Sequence, residues 1–251
     1  MNKLYNKSEL IFSIVFIIIY IIGASFSDAF SDMIGISKIF TFPFFLVLSF
    51  ILILFIKKNS LLKKYGLCKP NYISKQFLFY IPLLILISTN LWFGVKMNLN
   101  ILESLLNVLS MLCVGFIEEI IFRVFLFRAL EKDSTKSAII ISSITFGIGH
   151  LLNLFSNGLE NIIPNICQVF YAMAVGFLFV IIFYKGGSLI SCILTHSLVN
   201  SLSIFQNKEF YTNLNEILIS IVIIIVAISY SLILIKTLNN GNKTNKDYCD
   251  K

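Results

Sequence analysis

Residues 114–127 read VGFIEEIIFRVFLF, an apolar run interrupted only by Glu118, Glu119 and Arg123. From about 104 to 127 the run is long enough to cross a bilayer, which takes about 20 mostly apolar residues. Ionisable groups inside such a segment are costly and mark a working site. The same stretch therefore bears on both the fold class and the place where chemistry is to be sought.

The whole chain shares this character. It has 251 residues, 57% of them hydrophobic and 13% charged. A soluble domain carries about 25% charged residues. No water-soluble core hides so much apolar surface, so the lipid bilayer is the expected solvent and first partner. The formal charge of +7 does not collect on a soluble domain. The lysines punctuate apolar runs, as topogenic charges do, which argues against nucleic acid as a partner. The five cysteines, Cys68, Cys113, Cys167, Cys192 and Cys249, form no CxxC or other metal-ligand spacing. They read as small buried hydrophobes.

Eight segments qualify as spans, approximately 9–27, 39–56, 76–95, 104–127, 137–155, 162–184, 187–206 and 215–236. The expected fold is all-α, a polytopic integral membrane protein of about eight transmembrane helices. It forms one domain over 1–236, with a polar cytoplasmic tail at 237–251. The first segment has a longer apolar core than a signal peptide and no A-x-A site follows, so it reads as an uncleaved span. With a cytoplasmic N-terminus, Lys38, Lys96 and Lys208 are the only basic residues on the outside; Arg123 lies within a span. That asymmetry predicts both termini inside. The bias toward Ile, Asn and Lys suits an AT-rich bacterial genome, hence a bacterial plasma membrane. The basic stretch Lys57–Lys75, with Leu61, Leu62, Tyr65 and Leu67, reads either as an interfacial segment on an anionic leaflet or as an ordinary loop.

Three segments hold the polar candidates. In the fourth, Glu119 and Arg123 are four apart on one helix face, acid first, and can pair. Pairing relieves the cost of two charges in a low-dielectric region. Glu118 is rotated by one residue and left freer and partly desolvated, the setting of a general base. An ion pair that merely glues helices fits equally well. In the fifth, Phe146 and His150 share a face beside Gly147 and Gly149, whose size lets neighbouring helices approach. In the seventh, His196 and Asn200 share a face and can donate to a developing oxyanion. Taken alone, each histidine reads more readily as a helix–helix hydrogen bond. Depth changes that balance. Counted from the cytoplasmic helix ends, Glu118, His150 and His196 all lie roughly 14–20 Å in. One composite site, open from the cytoplasmic side, is expected.

The ordered set Glu-Glu-x-x-x-Arg, Phe-x-x-x-His and His-x-x-x-Asn resembles the CPBP intramembrane proteases. These are the type II CAAX prenyl endopeptidases and the bacteriocin-processing or immunity proteins, also called the Abi family. The motif core covers about 104–206. The resemblance implies a hydrolase acting on a membrane-associated peptide or lipidated protein, in bacteriocin processing or self-immunity. It also implies roles. Glu118 with His150 activates a water, His196 and Asn200 stabilise the oxyanion, and Glu119 with Arg123 positions Glu118. Such proteins are often named metalloproteases, and Glu118, His150 and His196 are the candidate Zn²⁺ ligands, with water in the fourth position. The HExxH helix of soluble zincins is absent, and a metal-free glutamate mechanism fits as well. Two other classes suit the same residues: a non-catalytic immunity or scaffold protein, and a proton-coupled transporter. The transporter lacks the expected pair of broken helices in matching halves.

Overall fold

The computed structural model describes residues 1–151, 162–210 and 212–238. The described residues are mainly helical, and their one extended pairing is an isolated bridge between Val95 and Gln206. The helices are α1 (Asn2–Lys7), α2 (Glu9–Ile34), α3 (Thr41–Lys58), α4 (Ile81–Ser88), α5 (Ile101–Glu119), α6 (Phe127–Glu131), α7 (Thr135–Gly149), α8 (Ile162–Gly186), α9 (Ile190–Ser203) and α10 (Asn213–Thr237). Their starts are set by local chemistry. The side chains of Ser8, Asn100, Ser134 and Thr212 accept from the backbone N–H three residues on, capping α2, α5, α7 and α10.

Among the described residues, six stretches are long and apolar enough to cross a membrane: Glu9–Ile34, Thr41–Lys58, Ser74–Leu91, Ile101–Glu131, Ile162–Gly186 and Asn213–Thr237. Phe26, Phe50, Ile225 and Leu232 stand exposed on these helices. Water would not tolerate such a surface, and lipid tails cover it without cost. The protein is an all-α, multi-pass membrane protein.

All eight expected segments contain helix, with three departures from continuous spans. α7 is 15 residues long, and the remainder of the fifth expected span, 152–155, lies outside the described residues. α9, the seventh, has only 14 residues. The third, expected at 76–95, is broken. Residues Ser74–Tyr80 form a tight turn in which Leu78, Phe79 and Tyr80 all have positive φ, and the α-helical part is confined to Ile81–Ser88. Pro82 supplies the reason. It lacks an N–H, and its ring would clash with the Leu78 carbonyl in a continuous helix. The break is held from outside, because the Tyr230 hydroxyl donates to the Phe77 carbonyl at 2.7 Å. Of the polar tail expected from 237, only Thr237 and Leu238 are among the described residues.

Packing explains how distant segments meet. α8 lies along α7 and α10, α9 lies along α5, and α2 leans on the segment following α5. Phe12 and Phe16 of α2 clasp Phe125, with ring centroids 5.0 and 5.7 Å apart. Lipid is as apolar as these rings, so close packing rather than water exclusion holds them. The basic stretch after α3 folds back onto the protein. Tyr65 is buried, and its hydroxyl lies 2.7 Å from that of Tyr5. Lys64 donates to Tyr5 and Glu9. Burial pushes the Lys64 pKa down, but these hydrogen bonds outweigh it and the net direction is up. Lys57, Lys58, Lys69 and Lys75 remain exposed.

Gly115 on α5 marks the closest approach of α9. A Cβ there would fall 2.6 Å from the backbone nitrogen of Ser197 and 2.7 Å from its Cα. Any side chain at 115 must push the two helices apart. Gly115→Val is therefore expected to destabilise the protein by about 1–3 kcal/mol, as overpacking does. A fall in the thermal midpoint of the detergent-solubilised protein checks this; an unchanged midpoint would show that the helices separate freely.

Candidate active site

The fourth apolar segment is continuous from Ile101 to Glu131 but not uniform. α5 ends at Glu119, Ile120–Leu126 form a π-helical stretch, and α6 follows. Each π turn replaces the i→i+4 bond with i→i+5, and such turns collect at functional sites. Every residue from Ile120 to Phe127 is buried.

Glu119 and Arg123 meet here as the spacing predicted. Arg123 Nε lies 3.2 Å from Glu119 Oε2, and both side chains are 0% exposed. The guanidinium lies over the Phe146 ring, 4.0 Å from its centroid, with Phe179 at 5.6 Å. A desolvated cation over an aromatic face gains about 2 kcal/mol. Phe146 of the Phe-x-x-x-His pattern thus serves as a platform for the cation.

His196 joins the two carboxylates. Its Nδ1 is 2.9 Å from Glu119 Oε1, and its Nε2 is 3.5 Å from Glu118 Oε2. The close approach at Gly115 allows this, since Ser197, next to His196, is the residue it admits. The two glutamates differ, as expected. Glu119 is sealed between Arg123 and His196. Glu118 sits at the edge of burial, and Tyr20 of α2 donates to its Oε1 at 2.6 Å. Glu118 Oε2 has no hydrogen-bond partner among the described residues.

His150 is the residue at which α7 stops, its backbone N–H donating to the Gly147 carbonyl at 3.1 Å. Its ring meets Phe146 edge-on at 5.5 Å. It is close enough to Glu118, His196 and Arg123 to feel their charges. No hydrogen bond is made by its ring among the described residues. Asn200 lies one turn beyond His196, half-buried, its side chain likewise without a partner among the described residues. The structure thus brings Glu118, Glu119, Arg123 and His196 into direct contact and sets His150 beside them through Phe146. It does not join Asn200 to the cluster by a bond. Glu118 has His196 Nε2 at 3.5 Å, and His150 is close enough to interact with it electrostatically.

The sequence reading missed Tyr20. The available signal was its position: tyrosines in membrane proteins favour the interfaces, whereas Tyr20 falls well inside the first apolar run.

Both nitrogens of His196 are directed at carboxylates. Among the described residues no three His, Cys, Asp or Glu side chains gather as a metal-binding set. The three candidate zinc ligands do not fit a metal in this arrangement.

Residues 100–202 match the family model described as type II CAAX prenyl endopeptidase Rce1-like. That segment is similar to the Rce1-like CAAX proteases. That family consists of membrane proteases, and the likeness covers the stretch of this chain that holds the polar cluster. The match closely overlaps the motif core expected at 104–206 and holds Glu118, Glu119, Arg123, His150, His196 and Asn200. It does not reach Tyr20. No curated protein and no solved structure is matched by the chain.

The buried pair makes a sharp stability prediction. Arg123→Ala leaves Glu119 buried and uncompensated by the cation, which costs about 3–5 kcal/mol. The double variant Glu119→Leu, Arg123→Leu should recover much of that loss without recovering turnover. Thermal unfolding of both variants in detergent checks it; a double variant no more stable than Arg123→Ala would contradict it.

Proposed function

We propose that the protein is a glutamate-dependent intramembrane endopeptidase with Glu118 as general base. The observation that carries this reading is the division of labour within one carboxylate. Glu118 Oε1 is occupied by Tyr20, while Oε2 has no hydrogen-bond partner and lies beside His196 Nε2. A buried acceptor left open is what a water needs.

In the proposed reaction, Glu118 Oε2 takes a proton from a water whose oxygen adds to the scissile carbonyl carbon. His150 faces the same water. Negative charge moves to the carbonyl oxygen, where His196 and Asn200 stabilise it. Glu118 then returns the proton to the amide nitrogen as the C–N bond breaks, and one water has been consumed. Glu119 anchors the imidazole of His196 through Nδ1, and Arg123 balances the surplus negative charge of the two glutamates. No metal enters this scheme.

The substrate class proposed is a membrane-associated peptide or lipidated protein: a leader peptide, a pheromone or a bacteriocin-related peptide, with a role in processing or self-immunity. We further propose that both termini and the mouth of the site face the cytoplasm of a bacterial cell. The charge asymmetry of the loops supports this orientation.

Glu118→Gln keeps the size and the Tyr20 contact but removes the base. Turnover of a membrane-anchored fluorogenic peptide is expected to fall by about 10²–10⁴-fold, with the folded fraction unchanged by size-exclusion chromatography. Unchanged cleavage would sink the reading. Chelation is expected to leave turnover intact in protein shown by elemental analysis to be metal-free; loss of activity restored by Zn²⁺ would overturn the metal-free scheme.

A further inference from the structure

The first membrane segment lies outside the family match, yet it enters the site. Phe12, Phe16 and Tyr20 are spaced by four residues and so share one face of α2. The first two lock that face against Phe125 in the π-helical stretch. The third continues the stripe toward Glu118, two residues before the stretch begins. Its ring packs on Phe45 of α3 at 5.8 Å, which fixes the direction of the hydroxyl. The phenol donates to Glu118 Oε1 at 2.6 Å, across 98 residues of chain.

We propose that Tyr20 is a positioning residue that selects which oxygen of Glu118 acts as the base. By occupying Oε1 it leaves Oε2 as the open acceptor, on the side of His196 Nε2. It also prevents the carboxyl group from rotating about its terminal bond, which would present either oxygen. A phenol donor favours the ionised carboxylate over the neutral acid. The aromatic clasp of Phe12 and Phe16 on Phe125 makes that hydroxyl a rigid part of the site, although no local motif announces it.

This inference rests on Glu118 being the general base, and the experiment separates the two. Rate against pH is measured for the unmodified protein, Glu118→Gln and Tyr20→Phe, using the membrane-anchored peptide. Tyr20→Phe retains the ring against Phe45 and loses only the donor. Its kcat is expected to fall about tenfold to a hundredfold, the worth of a hydrogen bond to a charged group, with KM changed less than twofold. The acid limb of kcat/KM should move to higher pH, because the carboxylate has lost a donor that favours its charged form. A role confined to holding α2 against α5 would lower stability and leave that limb in place. An unmoved limb, whatever the rate, overturns the proposal while leaving Glu118 as the base. Full turnover by Glu118→Gln overturns the base itself. If Tyr20→Phe does not fold, a ring-fluorinated tyrosine at position 20 replaces it. Its stronger donor should move the limb to lower pH, and an unmoved limb again overturns the proposal.

Discussion

The Glu119–Arg123 pair is the constraint around which the rest is arranged. A charge inside a hydrocarbon layer must be matched, and a matched pair still needs its remaining lone pairs and protons met. The guanidinium nitrogens make no hydrogen bond among the described residues, and three devices on or between neighbouring helices compensate in part. Phe146 of α7 gives the guanidinium an aromatic face, His196 of α9 occupies the second oxygen of Glu119, and Gly115 lets α9 come near enough to do so. Weakening any one of them leaves a charge less well matched. The pair thus welds α5, α7 and α9 into one unit at the depth where chemistry is proposed.

Glu118 gains its properties by contrast. It is adjacent in sequence, yet the helical rotation takes it out of the pair and toward α2. One carboxylate is sealed and structural, while the other keeps an open oxygen. Two groups of the same chemical kind in neighbouring positions can take opposite roles when their surroundings differ. Here the difference comes from one step of about 100° around a helix.

Much of this was legible in the sequence, for physical reasons. Apolar runs reveal membrane helices because lipid demands them, and the Glu119–Arg123 pair follows from helical spacing. The gathering of Glu118 and His196 was anticipated by their common depth. What the sequence did not yield depends on tertiary placement. His196 reaches Glu119 across 77 residues and Tyr20 reaches Glu118 across 98, and no local period encodes either contact. The π-helical stretch has no mark in a run of Ile, Phe, Val and Leu broken only by Arg123. The break in the third segment was different, because Pro82 stood in plain view and carries a steric meaning that overrides hydropathy.

The brevity of α9 has a consequence for the membrane itself. Fourteen helical residues cover about 21 Å, against a hydrocarbon layer of about 30 Å. His196 lies near the middle of that helix, so neither end is more than about 11 Å away. A helix this short, crossing the layer, would draw polar headgroups and water inward at one rim or both. Thinning of this kind costs a fraction of a kcal/mol for each ångström of mismatch. Bilayer thickness becomes a physical variable of the protein: a thin membrane lets the short helix sit unstrained, and a thick one sets the elasticity of the lipid against the geometry around His196.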